Sequence, residues 1–390
     1  ATAIRDPSPR DRPIVDPNKG VIVSATVSVT RTSPDRRSPN LRPSQAALTA
    51  GRAEIPRIAA VLTAVLAVVV LVLAGCGAPA APAAAGGGAG GLEQTTVQVG
   101  ALPIIDFAAV QRAFLGGYFA AEGLDIEFIP VQGGAAAIPL LVNGELDLTW
   151  SAMNSIIAAQ DKRVAEARGG LRVLPGSGYA AAENTFVMLA LPGREYLATP
   201  QDLPGKKIAI NTLGSIARLA ANTAMAANGV DPRSVSYVEV PFPDMIPALA
   251  NRQVDAIVVV EPQLTQAGLQ LGATALLNVA SGPTANLPEA ALTTTAEFAR
   301  TNPNTMAAFA RALARGQADM NDRTLVEQTV TAYTKIDAGT ATLLRVGTWP
   351  ATLTAIDLQR VAGLMQTDAA LPPDFDVTPL LLPVPAPGPA

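Results

Sequence analysis

From Thr95 to about Leu382, short apolar runs alternate with segments whose apolar residues recur at helical spacing. This is the pattern of an α/β architecture. VQVGALP (97–103) predicts a buried strand. Phe107, Val110, Phe114, Tyr118 and Ala121 then share one helical face, with Gly123 as a stop. LDIEFIPV (124–131) alternates as a strand does, a short helix runs through Leu140 and Leu141, and LDLTWSA (146–152) is the next strand. LRVLPGS (171–177) and NTFVMLALP (184–192) are expected to continue the same sheet. A second series opens at DLPGKKIAIN (202–211), after which Ser215 is placed to cap a helix ending at Asn228-Gly229. SVSYVEV (234–240), VDAIVVVEP (254–262) and ATALLNV (273–279) read as strands. Asp244 is placed to cap the intervening helix, with Pro247 in its first turn. Beyond Glu297 the chain is mainly helical, over 303–321, 324–336 and 355–367. Two such series imply two lobes around a cleft, and ligands of open α/β sheets bind beyond the carboxyl ends of the strands.

The first ninety residues follow other rules. Residues 1–57 are rich in Pro, Ser, Thr and Arg without a sustained apolar period, and read as a disordered extension. Arg52 and Arg57 precede an apolar run from Ile58 to Leu73 that leads into Leu73-Ala74-Gly75-Cys76. Basic residues, a short apolar stretch and small residues at a processing site predict a signal peptide over 58–75. The last four residues resemble the bacterial lipobox, whose cysteine is acylated. The competing reading is a single membrane span, since the run approaches the lower limit of about 17 residues. A flexible Gly-, Ala- and Pro-rich tether is expected over 76–94. Together these predict an extracytoplasmic protein, lipid-anchored to the outer face of the cell membrane through Cys76.

Composition narrows the chemistry. Hydrophobic residues make up 49% but aromatics only 4%, so the core is expected to be Ala, Val, Leu and Ile. The chain has no histidine, which excludes His-based acid–base catalysis, Ser-His-Asp triads and His-ligated metals. Its single cysteine excludes an internal disulfide and thiolate clusters. No enzyme activity, cofactor or metal is expected. Residues 76–390 carry 18 Lys and Arg against 27 Asp and Glu, which argues against a nucleic-acid partner.

Three stretches carry a family resemblance: LLVNGELDLTWSAMNSIIAAQ, DLPGKKIAINTLGSIARLAANTAMAANGVDP and PALANRQVDAIVVVEPQ. In this order and at this spacing, they resemble the nitrate/sulfonate/taurine and thiamine-pyrimidine-precursor group of ABC-transporter solute-binding proteins. The resemblance implies a type II periplasmic-binding fold, an α/β architecture with a ligand cleft between lobes. It assigns 95–190 plus 286–385 to the first lobe and 191–285 to the second. It also implies a small-molecule solute, an ABC permease as partner, and action as a monomer. Asp147 and Asp255 are expected to anchor turns rather than touch ligand. Two alternatives stay open: a ligand-sensing lipoprotein without transport, and a pyrimidine-precursor synthase-like enzyme on the same fold. The synthases depend on histidine and cysteine, which the folded body lacks.

Strand ends nominate the ligand contacts. Ile104, Asp106 and Phe107 follow the first strand, although Asp106 is equally placed to be a helix N-cap and Phe107 to be core. Ser151 and Asn154 follow the third, and Thr212, Gly214 and Ser215 occupy the equivalent place in the second series. Hydroxyl, amide and free backbone N–H groups there suit an oxyanion or carbonyl, and ordinary capping is the competing reading. Phe242 and Glu261 end later strands, with Glu261 either a ligand acceptor or a hinge support; Tyr179 follows the fourth. Trp150 and Trp349 are expected to pack, and Arg112 and Arg218 to be solvated. Carboxylates at 106 and 261 favour a heteroaromatic or amine-bearing nutrient over a sulfonate or nitrate.

Overall fold

The computed structural model describes residues 91–193 and 197–383, so the extension, the signal segment and Cys76 lie outside the described residues. The strands are β1 (Thr96–Ala101), β2 (Asp125–Pro130), β3 (Leu148–Ala152), β4 (Leu171–Val173), β5 (Tyr179–Ala180) and β6 (Val187–Ala190). They continue with β7 (Lys207–Ile210), β8 (Ser236–Glu239), β9 (Ala256–Val259), β10 (Thr274–Asn278) and β11 (Pro288–Thr295). One sheet has the order β2-β1-β3-β11-β4, with β5 also paired to β11; the other has the order β10-β6-β9-β7-β8. In each, a parallel trio built from strand–helix units is extended by antiparallel strands. Val97, Val99, Leu148 and Leu292 fill the first core, and Ile208, Ile210, Ile257 and Val259 the second.

The helices that matter below are α1 (Ala108–Leu115), α2 (Gly134–Asn143), α3 (Met153–Asp161) and α4 (Ile216–Ala227). With them come α5 (Phe242–Ala250), α6 (Gln263–Leu271) and α7 (Pro303–Asp319). Asp147 and Asp255 serve as structural anchors. Each carboxylate accepts the backbone N–H of the neighbouring strand, Gln98 at 2.9 Å and Lys207 at 3.0 Å.

Several expectations are corrected. NTFVMLALP does not continue the first sheet: the chain crosses over at 181–186, and β6 pairs with β9 and β10. β11, which no sequence pattern announced, lies between β3 and β4 with all eight residues buried. Its Thr run fits because β-branched side chains suit a pleated surface, and Thr294 Oγ1 donates to the Asp147 carbonyl at 2.7 Å. The helix expected through Ala121 breaks at Gly116-Gly117, where Gly117 takes φ +69°, and Phe114 is left partly exposed. Asp244 lies in the first turn of α5 rather than capping it, and Pro247 sits in the interior of that helix. Arg112 is not simply solvated; it donates to Asp319 at 2.6 Å. Glu93, placed in the expected tether, accepts the N–H groups of Asn304 and Thr305 at the start of α7.

Candidate functional site: the cleft between the sheets

A cavity of about 40 Å³ lies between the two sheets, lined by residues at or just beyond the carboxyl ends of β1, β2, β3, β7, β8 and β9. At this size it holds roughly three waters. Its first wall is formed by Leu102, Ile104, Asp106, Trp150, Glu289 and Ala290, and its second by Asn211, Ser215, Phe242 and Val260. Close approach requires glycine at the floor: a Cβ on Gly134 would stand 2.5 Å from the Cα of Ser151, so only glycine lets α2 seat against β3.

The loop after β1 is held by three bonds. Tyr333 Oη donates to the Ile104 carbonyl at 2.7 Å, Ile105 N–H to the Glu261 carbonyl at 2.9 Å, and Trp349 Nε1 to the Asp106 carbonyl at 3.2 Å. Asp106 caps no helix: Ile104 occupies the N-cap of the single turn Ile105–Phe107. Asp106 lines the cavity instead, at 4% exposure, with its carboxyl Oδ1 lacking any hydrogen-bond donor. Glu289, the second residue of β11, is 2% exposed, and neither of its carboxyl oxygens has a donor. Among the described residues, no lysine or arginine lines the cavity. Burial pushes the Asp106 carboxyl up to about 7. Burial, reinforced by the neighbouring Asp106 charge, pushes Glu289 well above the usual carboxylate range. Two carboxyls in a dry site cannot both ionise cheaply, so the pair retains a proton near neutrality.

Donors approach from elsewhere. Trp150 packs in the core as expected, edge-on to Phe107, and it also lines the cavity, with its buried Nε1 lacking an acceptor. Ser215 is the N-cap of α4, yet its side chain makes no capping bond and its buried Oγ has no partner. Ile216 and Ala217, whose first-turn N–H groups have no partner within the helix, line the same cavity.

Of the sequence-nominated residues, Ile104, Asp106, Ser215 and Phe242 line this cavity. Four others meet around the corner where α3 and α4 begin. Asn154 Nδ2 donates to the Gly214 carbonyl at 2.9 Å, alongside Ser155 Oγ at 2.7 Å. Ser151 and Thr212 are buried nearby with free hydroxyls. Phe107 is core, edge-on to Phe128 and Trp150. Tyr179 stands behind the cavity wall, where its hydroxyl accepts Gly347 N–H at 2.9 Å and its ring meets Trp349. Glu261 is buried and satisfied, accepting from Thr265 N–H, Thr265 Oγ1 and Arg345 N–H, so it ties the start of α6 to the 345 backbone and does not line the cavity. Sequence reasoning missed Glu289 outright. One signal was present: it is the sole charged residue between Glu261 and Glu297.

Known structures share this fold. The alkanesulfonate-binding protein SsuA from Xanthomonas axonopodis pv. citri, bound to MOPS, is 18% identical, with a TM-score of 0.63 over 75% of this chain and 99% of that one. The periplasmic nitrate-binding protein NrtA from Synechocystis PCC 6803 is 15% identical, with a TM-score of 0.61 over 74% of this chain and 85% of its own. A protein from Bordetella bronchiseptica RB50 is 23% identical, with a TM-score of 0.61 over 74% and 92%. The fold is therefore the two-lobed periplasmic-binding fold. No curated protein matches the chain. The family match covers residues 105–323, more than half of the chain, from the Asp106 loop through β11 and beyond: the protein belongs to the NMT1/THI5-like family.

Proposed function

We propose that the protein captures a small organic solute in the cleft between its two lobes and delivers it to an ABC importer. The observation that carries this reading is the convergence, on one cavity, of unpartnered buried polar groups from both lobes. Such groups cost stability in the empty protein and become useful only when a ligand completes their hydrogen bonds. A cavity of about 40 Å³ admits only a compact solute unless the lobes open further, so entry requires hinge opening.

The solute favoured here is amine-bearing or heteroaromatic with N–H donors. The alkanesulfonate- and nitrate-binding proteins named above act on anions, but a bare anion facing Asp106 and Glu289 without a lining cation is electrostatically disfavoured. In this reading the protein works outside the cytoplasm, as a monomer, tethered to the membrane through an acylated Cys76. A test is native mass spectrometry of the full chain after incubation with a small-molecule metabolite extract. One bound solute is expected, together with a raised melting temperature, since a ligand held at a hundredfold excess over Kd adds about 2.7 kcal/mol. Absence of any bound species, with no change in melting, would reject solute capture.

A further inference from the structure

Asp106 and Glu289 are separated by 183 residues in the chain, yet both line one wall of the same small cavity. No other residue donates to three of their oxygens, and the two carboxyls lie within hydrogen-bond reach of each other. The groups around them cannot neutralise the pair: Tyr179 and Tyr333 are buried phenols, and Glu261 is a third carboxyl already engaged by Thr265 and Arg345. Across the cavity, Ser215 Oγ is unpartnered and the α4 amino terminus presents its positive end, while on the carboxyls' own wall Trp150 Nε1 has no acceptor. The second wall thus offers donors at Ser215 and the start of α4, and the first carries the carboxyl acceptors beside the Trp150 indole.

We propose that Asp106 and Glu289 form a proton-exchanging receptor for a cationic N–H group of a dipolar solute, whose electron-rich end rests on Ser215 and the start of α4. In the empty protein one proton remains between the two carboxyls. When an ammonium or amidinium group enters, the carboxyl O–H bond breaks, the proton leaves to solvent, and the dicarboxylate receives the N–H donors. The solute keeps its own charge and its carboxylate or carbonyl oxygen accepts from Ser215 Oγ and the Ile216 and Ala217 N–H groups. Glu289 is thereby a specificity-determining residue, and the class of solute is a compact zwitterion.

This inference rests on the solute-capture reading and is tested separately from it. Full-chain protein would be melted with β-alanine, propylammonium, propionate and 1-propanol, four probes of similar size and different charge. β-Alanine is expected to raise the melting temperature most, propylammonium less, and the other two not at all. Glu289→Gln should remove the response to both amines while keeping a cooperative melt. Ser215→Ala should reduce the β-alanine response to that of propylammonium. Calorimetry at pH 7 in phosphate and in Tris should show about one proton released per amine bound. A propionate response equal to that of β-alanine, an unchanged amine response in Glu289→Gln, no proton release, or no response to any probe would each overturn the assignment. If a metabolite extract yields a bound solute while the amines are inert, the receptor falls and solute capture stands. If the extract yields none, solute capture itself falls.

Discussion

In the first sheet, the Asp147 carboxylate accepts the N–H of Gln98 at 2.9 Å while its own N–H donates to the Gln98 carbonyl. In the second, Asp255 makes the same pair of bonds with Lys207, at 3.0 and 2.8 Å. These repeated brackets register each parallel trio and say nothing of ligand. The sheets part company at the cleft. The first places buried carboxyls there, Asp106 and Glu289; the second places a hydroxyl and a helix amino terminus, at Ser215 and α4. What the lobes share is scaffolding. What they do not share is the chemistry that a solute would read.

The sharpest way to break this comparison is at β11, which gives the first sheet both its centre and Glu289. Leu292 is fully buried there, paired opposite Trp150. Leu292→Ala should cost about 2–5 kcal/mol in urea unfolding, as for other buried leucines. A loss below about 1 kcal/mol would mean that β11 does not fill the first core.

A smaller effect should come from the carboxyl pair. Folding raises both carboxyls above their unfolded values, so the native state binds more protons. Stability from this source is fully present below about pH 4 and is lost as pH rises through about 7 for Asp106, and higher still for Glu289. Glu289→Gln removes one titrating partner. It should therefore be more stable than the wild type at pH 8, on the order of 1–3 kcal/mol, with the advantage fading towards pH 4. Denaturation at pH 5 and pH 8 reads this directly, and a difference independent of pH would refute the buried pair. No comparable change is expected for Ser215→Ala, which carries no titrating group.

The smallest effect should appear where the lobes touch. Asn154→Ala leaves Ser155 as the remaining side-chain donor to the Gly214 carbonyl. About 0.5–1.5 kcal/mol of stability should be lost, together with a measurable rise in the radius of gyration of the ligand-free protein. Small-angle scattering that finds the same radius would show that this corner does not hold the lobes together.

Much of the cleft was legible because strand ends are. Ile104, Asp106, Ser215 and Phe242 were nominated from strand ends, the first two also from the family resemblance, and all four line the cavity. Glu261 was not readable in the same way. Its place at the end of β9 fitted a ligand contact equally well, and only the packing of Thr265 and the 345 backbone shows that its carboxylate is occupied. Tyr179 and Asn154 were likewise near the cleft in sequence logic but found partners within the protein. Trp150 packs in the core as its alternation with Ser151 predicted, edge-on to Phe107, but the strand pattern gave no sign that it also lines the cavity or that its buried indole N–H lacks an acceptor.

The sequence by itself determined the two α/β series, the bracket aspartates, and the absence of histidine and cysteine chemistry from the folded body. These depend on local period and on composition, which any short window reveals. Only the tertiary structure decided that 187–190 joins the second sheet, that Pro288–Thr295 enters the middle of the first, and that Glu289 meets Asp106. Strand partners are chosen by hydrogen bonds and buried surface between segments far apart in the chain. A Pro-Glu start and a Thr run look like a loop until two neighbouring strands claim their backbone.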